Sequence, residues 1–177
     1  MRVFALAFVL GALAGCGAGP YGFSRTYEPL DAERAALEGA VEYDPVMVKR
    51  MPDEWRTKRV SAFGVVLERK DQGADATLVL SVRTLDTRNA CETSQDDSCR
   101  TTVSDAEFDK LRAVVHVATA EDRSGELSLG PGSLVRVAGS LGEPDPASGT
   151  QTLKATYYRH WPRGYFRTSR AKEVLRR

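Results

Sequence analysis

Five of the chain's 14 aromatic residues fall within positions 157–166, with Arg159, Arg163 and, just beyond, Arg167 interleaved. Aromatic rings beside guanidinium groups can hold a sugar face, a headgroup or a protein surface by stacking and cation–π attraction. Tyr, Trp and Arg are also the usual anchors of protein interfaces. Tyr158, Arg159, His160, Trp161 and Arg163 are therefore the candidate contacts for a partner or ligand. The structural alternative is that Tyr157 and Trp161 close a β-structure while the arginines lie along its surface, their stems on apolar ground.

Groups suited to catalysis are sparse. The chain has two histidines. His116 stands among valines, and His160 lies in the aromatic stretch with no nucleophile beside it. An enzyme or small-ligand binder would use one of them in a pocket, with a carboxylate or hydroxyl within ~3.2 Å. No G-x-S-x-G, H-E-x-x-H or phosphate-loop motif occurs. Ser169-Arg170-Ala171-Lys172 spells S-x-x-K without companion motifs, so Ser169 reads as a helix cap. Gly17, Gly19 and Gly22 spell G-x-G-x-x-G, but Pro20 interrupts it and no strand precedes it, as a dinucleotide site requires. Asp96 and Asp97 fall short of the roughly six to eight oxygens that Ca²⁺ takes. The expectation is a non-enzymatic protein with no cofactor and no metal.

Cys91 and Cys99 form an even pair with seven residues between them. A disulfide is the leading reading. A metal site with Asp96 or Asp97 is one alternative, although it lacks C-x₂-C spacing and an adjacent His. Free thiols are the other.

The elements that must position these groups read mainly as strands. Residues 31–41 carry a thin apolar stripe of Leu30, Leu37 and Val41 at helical spacing, with Asp31 as cap. Residues 44–55 contain two prolines and read as a loop packing through Val46, Met47, Met51 and Trp55. From Lys58 the period changes to two. Two long strands flank a turn cluster at 71–75, with Gly64 as a bulge or bend. Residues 100–103 can extend a strand. Ser104 to Glu107 fits a capping box that would open a short helix with Phe108 and Leu111 inward. Further strands are expected at 113–119, 134–141 and 150–158, and a short terminal helix at 169–176. About five principal strands with no βαβ rhythm point to a small five-stranded antiparallel OB-like barrel with short peripheral helices, the alternative being a β-sandwich.

The start of the chain sets the compartment. Arg2 precedes an apolar run of 12 residues (3–14). As helix this spans about 18 Å, too short for the ~30 Å core of a bilayer. It reads as a signal peptide. Leu13-Ala14-Gly15-Cys16 resembles the lipobox of bacterial lipoproteins. That resemblance implies diacylglycerol on the Cys16 sulfur, cleavage before Cys16 and acylation of the new amino terminus, and two or more chains anchor stably where one does not. Gly17 in place of Asp favours the outer over the inner membrane in that family. The chain also resembles the Slp-type outer-membrane lipoproteins, on the lipobox, the run Gly132-Ser133-Leu134-Val135-Arg136-Val137-Ala138-Gly139 and an aromatic strand ending near Trp161. That family implies a small β-barrel-like domain behind a lipid anchor and no enzymatic activity.

The expected organisation is a signal peptide at 1–15, a lipidated tether at 16–27, a helix and loop at 28–57, the β-domain at 58–166 and a basic tail at 167–177. Without Arg2 the chain holds 24 basic and 24 acidic residues. Such a balance argues neither for nucleic acid nor for general attraction to an anionic surface, and an envelope location removes most of the reason to expect nucleic acid. Positions 154–177 are locally basic, with eight Lys or Arg against Glu173 alone. The expected role is a structural or interaction module on the periplasmic face of the outer membrane. Its lipid would hold it to the membrane, and its partner would be an envelope protein or polymer.

Overall fold

Strand pairing from residue 59 onward builds the architecture, and the described segments before it pack against the barrel. The computed structural model describes Tyr21, residues 24–91 and residues 99–170. The expected signal segment, Cys16, the Asp96–Asp97 pair and most of the expected terminal helix lie outside the described residues. In chain order the elements are α1 (Asp31–Leu37), β1 (Val41–Glu42), α2 (Pro45–Arg50), α3 (Pro52–Arg56), β2 (Arg59–Gln72), β3 (Asp75–Arg83), β4 (Leu85–Asp86), β5 (Thr102–Val103), β6 (Asp109–His116), α4 (Ala120–Arg123), β7 (Leu134–Leu141), β8 (Thr152–Trp161) and β9 (Arg167–Thr168).

Strands β2, β3, β6, β8 and β7 close into a ring, because β7 pairs back onto β2. This is the small, five-stranded, OB-like barrel that the alternation of residues implies. One seam departs from the expected antiparallel order: β6 and β8 run parallel, with Arg112 opposite Thr152 and Val114 opposite Lys154. Closure requires it. Directions alternate around an antiparallel ring, and an odd number of strands cannot alternate all the way round. β1 is a further strand outside the ring, parallel to the start of β2. β4, β5 and β9 form a small second sheet.

The barrel interior is filled by Val60, Ala62 and Val66 of β2, Leu78 and Leu80 of β3, Leu111, Ala113 and Val115 of β6, Val135 and Val137 of β7, and Leu153 of β8. Leu129, just before β7, joins this core from one side, and Val48 and Trp55 from α2 and α3 join it from the other.

Three local expectations are corrected. Residues 44–55 are not a loop but two short helices. Asp44 caps α2 by accepting from the N–H groups of Val46 (2.9 Å) and Met47 (3.0 Å). Pro45 and Pro52 sit at first helical positions, where a missing N–H costs nothing. The helix expected from Ser104 is absent. Phe108 N–H bonds to Val82 carbonyl (2.9 Å), the β3 ladder continues through Asp109, and Phe108 is 59% exposed. Pairing with β3 overrides a local capping signal. Finally, the register shift of β2 falls at Leu67, not at Gly64. Gly64 instead permits close packing, since a Cβ there would lie 2.8 Å from Leu80 Cβ.

Candidate functional site

On β7 and β8 every second residue points out of the barrel. Arg136 faces Arg159 and Leu134 faces Trp161, while Phe63 and Val65 of β2 continue the same rows. Two guanidinium groups therefore lie side by side on an aromatic surface. Like charges directly opposite each other destabilise a sheet. Glu33 of α1 resolves the conflict: its Oε1 accepts from Arg136 Nη1 (3.1 Å) and its Oε2 from Arg159 Nη1 (2.8 Å). Glu33 is fully buried. Tyr27 donates its hydroxyl hydrogen bond to Glu33 Oε1. A second carboxylate, Glu42, accepts from Arg136 Nη2 (2.8 Å) and from Ser61 Oγ (3.0 Å). The guanidinium of Arg136 lies 4.7 Å over Phe63 and that of Arg159 4.4 Å over Trp161.

Burial works against the charge of Arg136, but Glu42, Tyr27 and Glu33 outweigh it and hold its pKa above the usual value. Burial, then the adjacent Glu33, pushes the Tyr27 hydroxyl far above the ordinary phenol range. The apolar stripe expected to dock α1 does not do so: Leu30 and Val41 are exposed, and the buried residues of the helix are Glu33 and Ala36. Nor is Asp31 the cap. Leu30 holds that position, and its N–H donates to Glu33 Oε2 (3.2 Å).

The aromatic-basic stretch is thus mostly internal. Trp161 is fully buried, packs with Phe63, Leu134 and Val103, and donates Nε1–H to the Tyr21 carbonyl (2.9 Å). Arg159 is buried in the ion cluster, and Tyr158 is half-buried. Of the five candidate contacts, Arg163 alone is exposed.

His160 points the other way, into a tie between β8 and the connection before β7. Its Nδ1 lies 2.8 Å from Asp122 Oδ1 and its Nε2 3.1 Å from Ser133 Oγ. Tyr158 hydroxyl donates to Asp122 Oδ2 (2.7 Å). Burial raises the Asp122 pKa, but the hydrogen bonds from His160 and Tyr158 outweigh it and hold the carboxyl below its usual range. The order of Asp122, His160 and Ser133 is that of a proton relay. Ser133, however, is 2% exposed. The nearby Gly130 N–H points at Ser133 Oγ itself (3.3 Å), not at a place where an oxyanion could form. Sequence reading found His160 but not its partners, which lie 38 and 27 positions away. His116 is at the exposed end of β6, 2.9 Å from Asp75 Oδ1.

A shallow groove of about 440 Å³ runs beside the His160 tie, lined by Tyr21, Leu30, Asp122, Tyr157, Tyr158 and His160 among others, and further open surfaces lie elsewhere. A cleft of about 480 Å³ is lined by Tyr43, Lys49, Arg56, Lys110 and Gln151 among others, where α2 and α3 meet β6 and the 142–151 loop. A groove of about 430 Å³ continues over the outside of β3 and β6, past Lys70, Val79 and Arg112. Arg112 Nη1 donates to Asp145 of the loop. Hydrogen bonds from Ser148, together with Arg112, hold the Asp145 carboxyl below its usual range. The signal for this face was present: Lys110, Arg112 and Val114 alternate with Leu111, Ala113 and Val115, period two, under the capping-box pattern that suggested a helix.

Cys91 and Cys99 are joined in a disulfide, with Cα atoms 4.6 Å apart. Among the described residues, no group of three or more His, Cys, Asp or Glu side chains is placed to hold a metal ion. No protein-family model matches the chain, and no curated protein matches its sequence.

Proposed function

We propose that the chain is a lipid-anchored cell-envelope protein whose barrel is a non-enzymatic binding module, with the β3–β6 face and the adjoining cleft as its contact surface. The observation that carries this reading is the polar cleft between α2, α3 and β6 and the open groove that adjoins it over β3 and β6. In OB-type barrels this face and the loop beside it take extended polymers. Leu13-Ala14-Gly15-Cys16 supports the anchor, and the Cys91–Cys99 disulfide supports an oxidising compartment. An envelope location leaves a glycan polymer or an envelope protein as partner.

The test is crosslinking and co-purification of the native lipidated protein. Wild type is expected to retain a partner that the doubly substituted Lys110→Glu, Arg112→Glu chain loses while keeping its fold. Retention by that variant, with loss in Arg163→Ala, would move the contact back to the aromatic-basic stretch. Cys16→Ser is expected to abolish palmitate incorporation and release the protein from membranes.

The Asp122–His160–Ser133 geometry favours a second reading, a serine-dependent hydrolase. The burial of Ser133 weighs against it. Labelling of Ser133 by a fluorophosphonate in the folded protein, absent in Ser133→Ala, would establish it, and no labelling would remove it.

A further inference from the structure

Cys16 and Tyr21 are five residues apart, which spans at most about 18 Å of fully extended chain. Tyr21 is itself fastened to the barrel. Its carbonyl accepts from Trp161 Nε1 (2.9 Å), and its ring lies 4.7 Å from that of Tyr165. The expected tether runs to Tyr27, but Tyr21, the earliest of the described residues, is already attached. Trp161 faces Leu134 of β7, so the anchored flank of the barrel is the outer side of β7 and β8. In the ring order β2-β3-β6-β8-β7, the β3–β6 seam lies across from β7.

The near flank has chemistry suited to a headgroup layer. Arg163 and Arg170 are exposed. Arg100 lies 5.5 Å over the Tyr165 ring and donates to the Gly164 carbonyl. Tyrosine rings are at home at the membrane–water boundary, and arginine matches phosphate groups with its planar fork. The opposing carboxylates near this flank are Asp122, whose charge acts on Tyr21, and Glu121, which lines the same surface groove as Tyr21; in the sequence Glu92, Asp96 and Asp97 stand between the bridge cysteines, outside the described residues.

We propose that the flank carrying Tyr21, Arg100, Arg163, Tyr165 and Arg170 is the membrane-facing side of the domain, resting on anionic phospholipid headgroups. The β3–β6 face is thereby presented away from the bilayer to its partner. A tether this short makes the electrostatic contact local, so an overall neutral chain can still use it. The inference rests on the reading of Cys16 as lipidated.

The experiment uses the full lipidated chain on vesicles of phosphatidylglycerol with phosphatidylethanolamine, and on phosphatidylcholine vesicles. A photo-crosslinking p-benzoylphenylalanine replaces Arg163 or Arg170 on the near flank, and Lys110 or Ser148 on the open face. Lipid adducts at 163 and 170 are expected to exceed those at 110 and 148 several-fold, and to fall several-fold on phosphatidylcholine. Equal adducts at all four positions, or more at 110 and 148, would overturn the orientation. Equal adducts on both vesicle types would overturn the contact with anionic headgroups. Flotation separates these failures from failure of the anchor: if wild type does not float with vesicles while intact and folded, the Cys16 reading falls and the inference with it.

Discussion

Arg136 and Arg159 face each other across the β7–β8 ladder and share the single buried carboxylate of Glu33. The cluster fastens α1 to the barrel through charge, not through an apolar face. Removing one partner of a buried ion cluster leaves an uncompensated charge, whereas replacing the whole set by apolar residues can be neutral.

Glu33→Ala is therefore expected to destabilise the fold by about 3–5 kcal/mol. Adding Arg136→Met and Arg159→Leu to it should recover most of that loss. Urea unfolding of the two variants beside wild type checks both, and a triple variant no better than the single one would contradict the cluster's account.

Trp161 and Arg163 are two residues apart and are expected to behave oppositely. Trp161→Ala empties a fully buried site packed with Phe63, Leu134 and Val103, which costs about 3–5 kcal/mol. Arg163→Ala, on the surface, should stay within about 0.5 kcal/mol of wild type. Thermal denaturation distinguishes them.

The Asp122 carboxyl is held below its usual range by His160 and Tyr158, against the effect of burial. Its contribution to stability is complete above the unfolded value, about 4. It is lost as pH falls through the lower folded value. The stability difference between wild type and Asp122→Asn should therefore shrink on acidification below about pH 4. The shrinkage should be modest because burial of the carboxyl opposes the hydrogen bonds that lower its pKa. Urea midpoints across pH 2–7 measure it, and a difference that grows toward acid would reverse the sign.

A Cβ at Gly139 would overlap the Lys154 carbonyl oxygen on β8. Gly139→Ala should cost at least about 1–3 kcal/mol through forced backbone shifts. Gly142→Ala meets the flexible end of Lys154 at 3.4 Å and the Thr152 carbonyl oxygen at an ordinary 4.0 Å, and should be far milder. Melting temperatures of the pair decide the point.

Cleaving the Cys91–Cys99 bridge releases a loop of seven intervening residues, for which the chain-entropy model gives about 2.5 kcal/mol. Cys91→Ser with Cys99→Ser should lower the urea midpoint accordingly and remove the effect of reductant on wild type.

Period-two alternation identified β2, β3 and β7, the last at both ends, because a strand with one buried face writes its pleat into the residue order; β6, expected at 113–119 behind a helix, instead runs from Asp109 to His116. The cysteine pairing was legible for a different reason: an even pair in a short loop has few alternatives. The helices at 44–55 were missed because prolines were read as breakers, although they occupy first helical positions. What tertiary structure decided is where the charges of the aromatic-basic stretch go. Arg159 and Glu33 are 126 positions apart, and Arg136 and Glu33 are 103 apart. A charged residue reads as solvated unless something distant neutralises it, and no local pattern records that partner. Closure of an odd ring, which forces one parallel seam, and the meeting of His160 with Asp122 and Ser133 arise in the same way. Local periodicity specifies which face of a strand is buried, while only the closed barrel specifies which distant groups that face brings together.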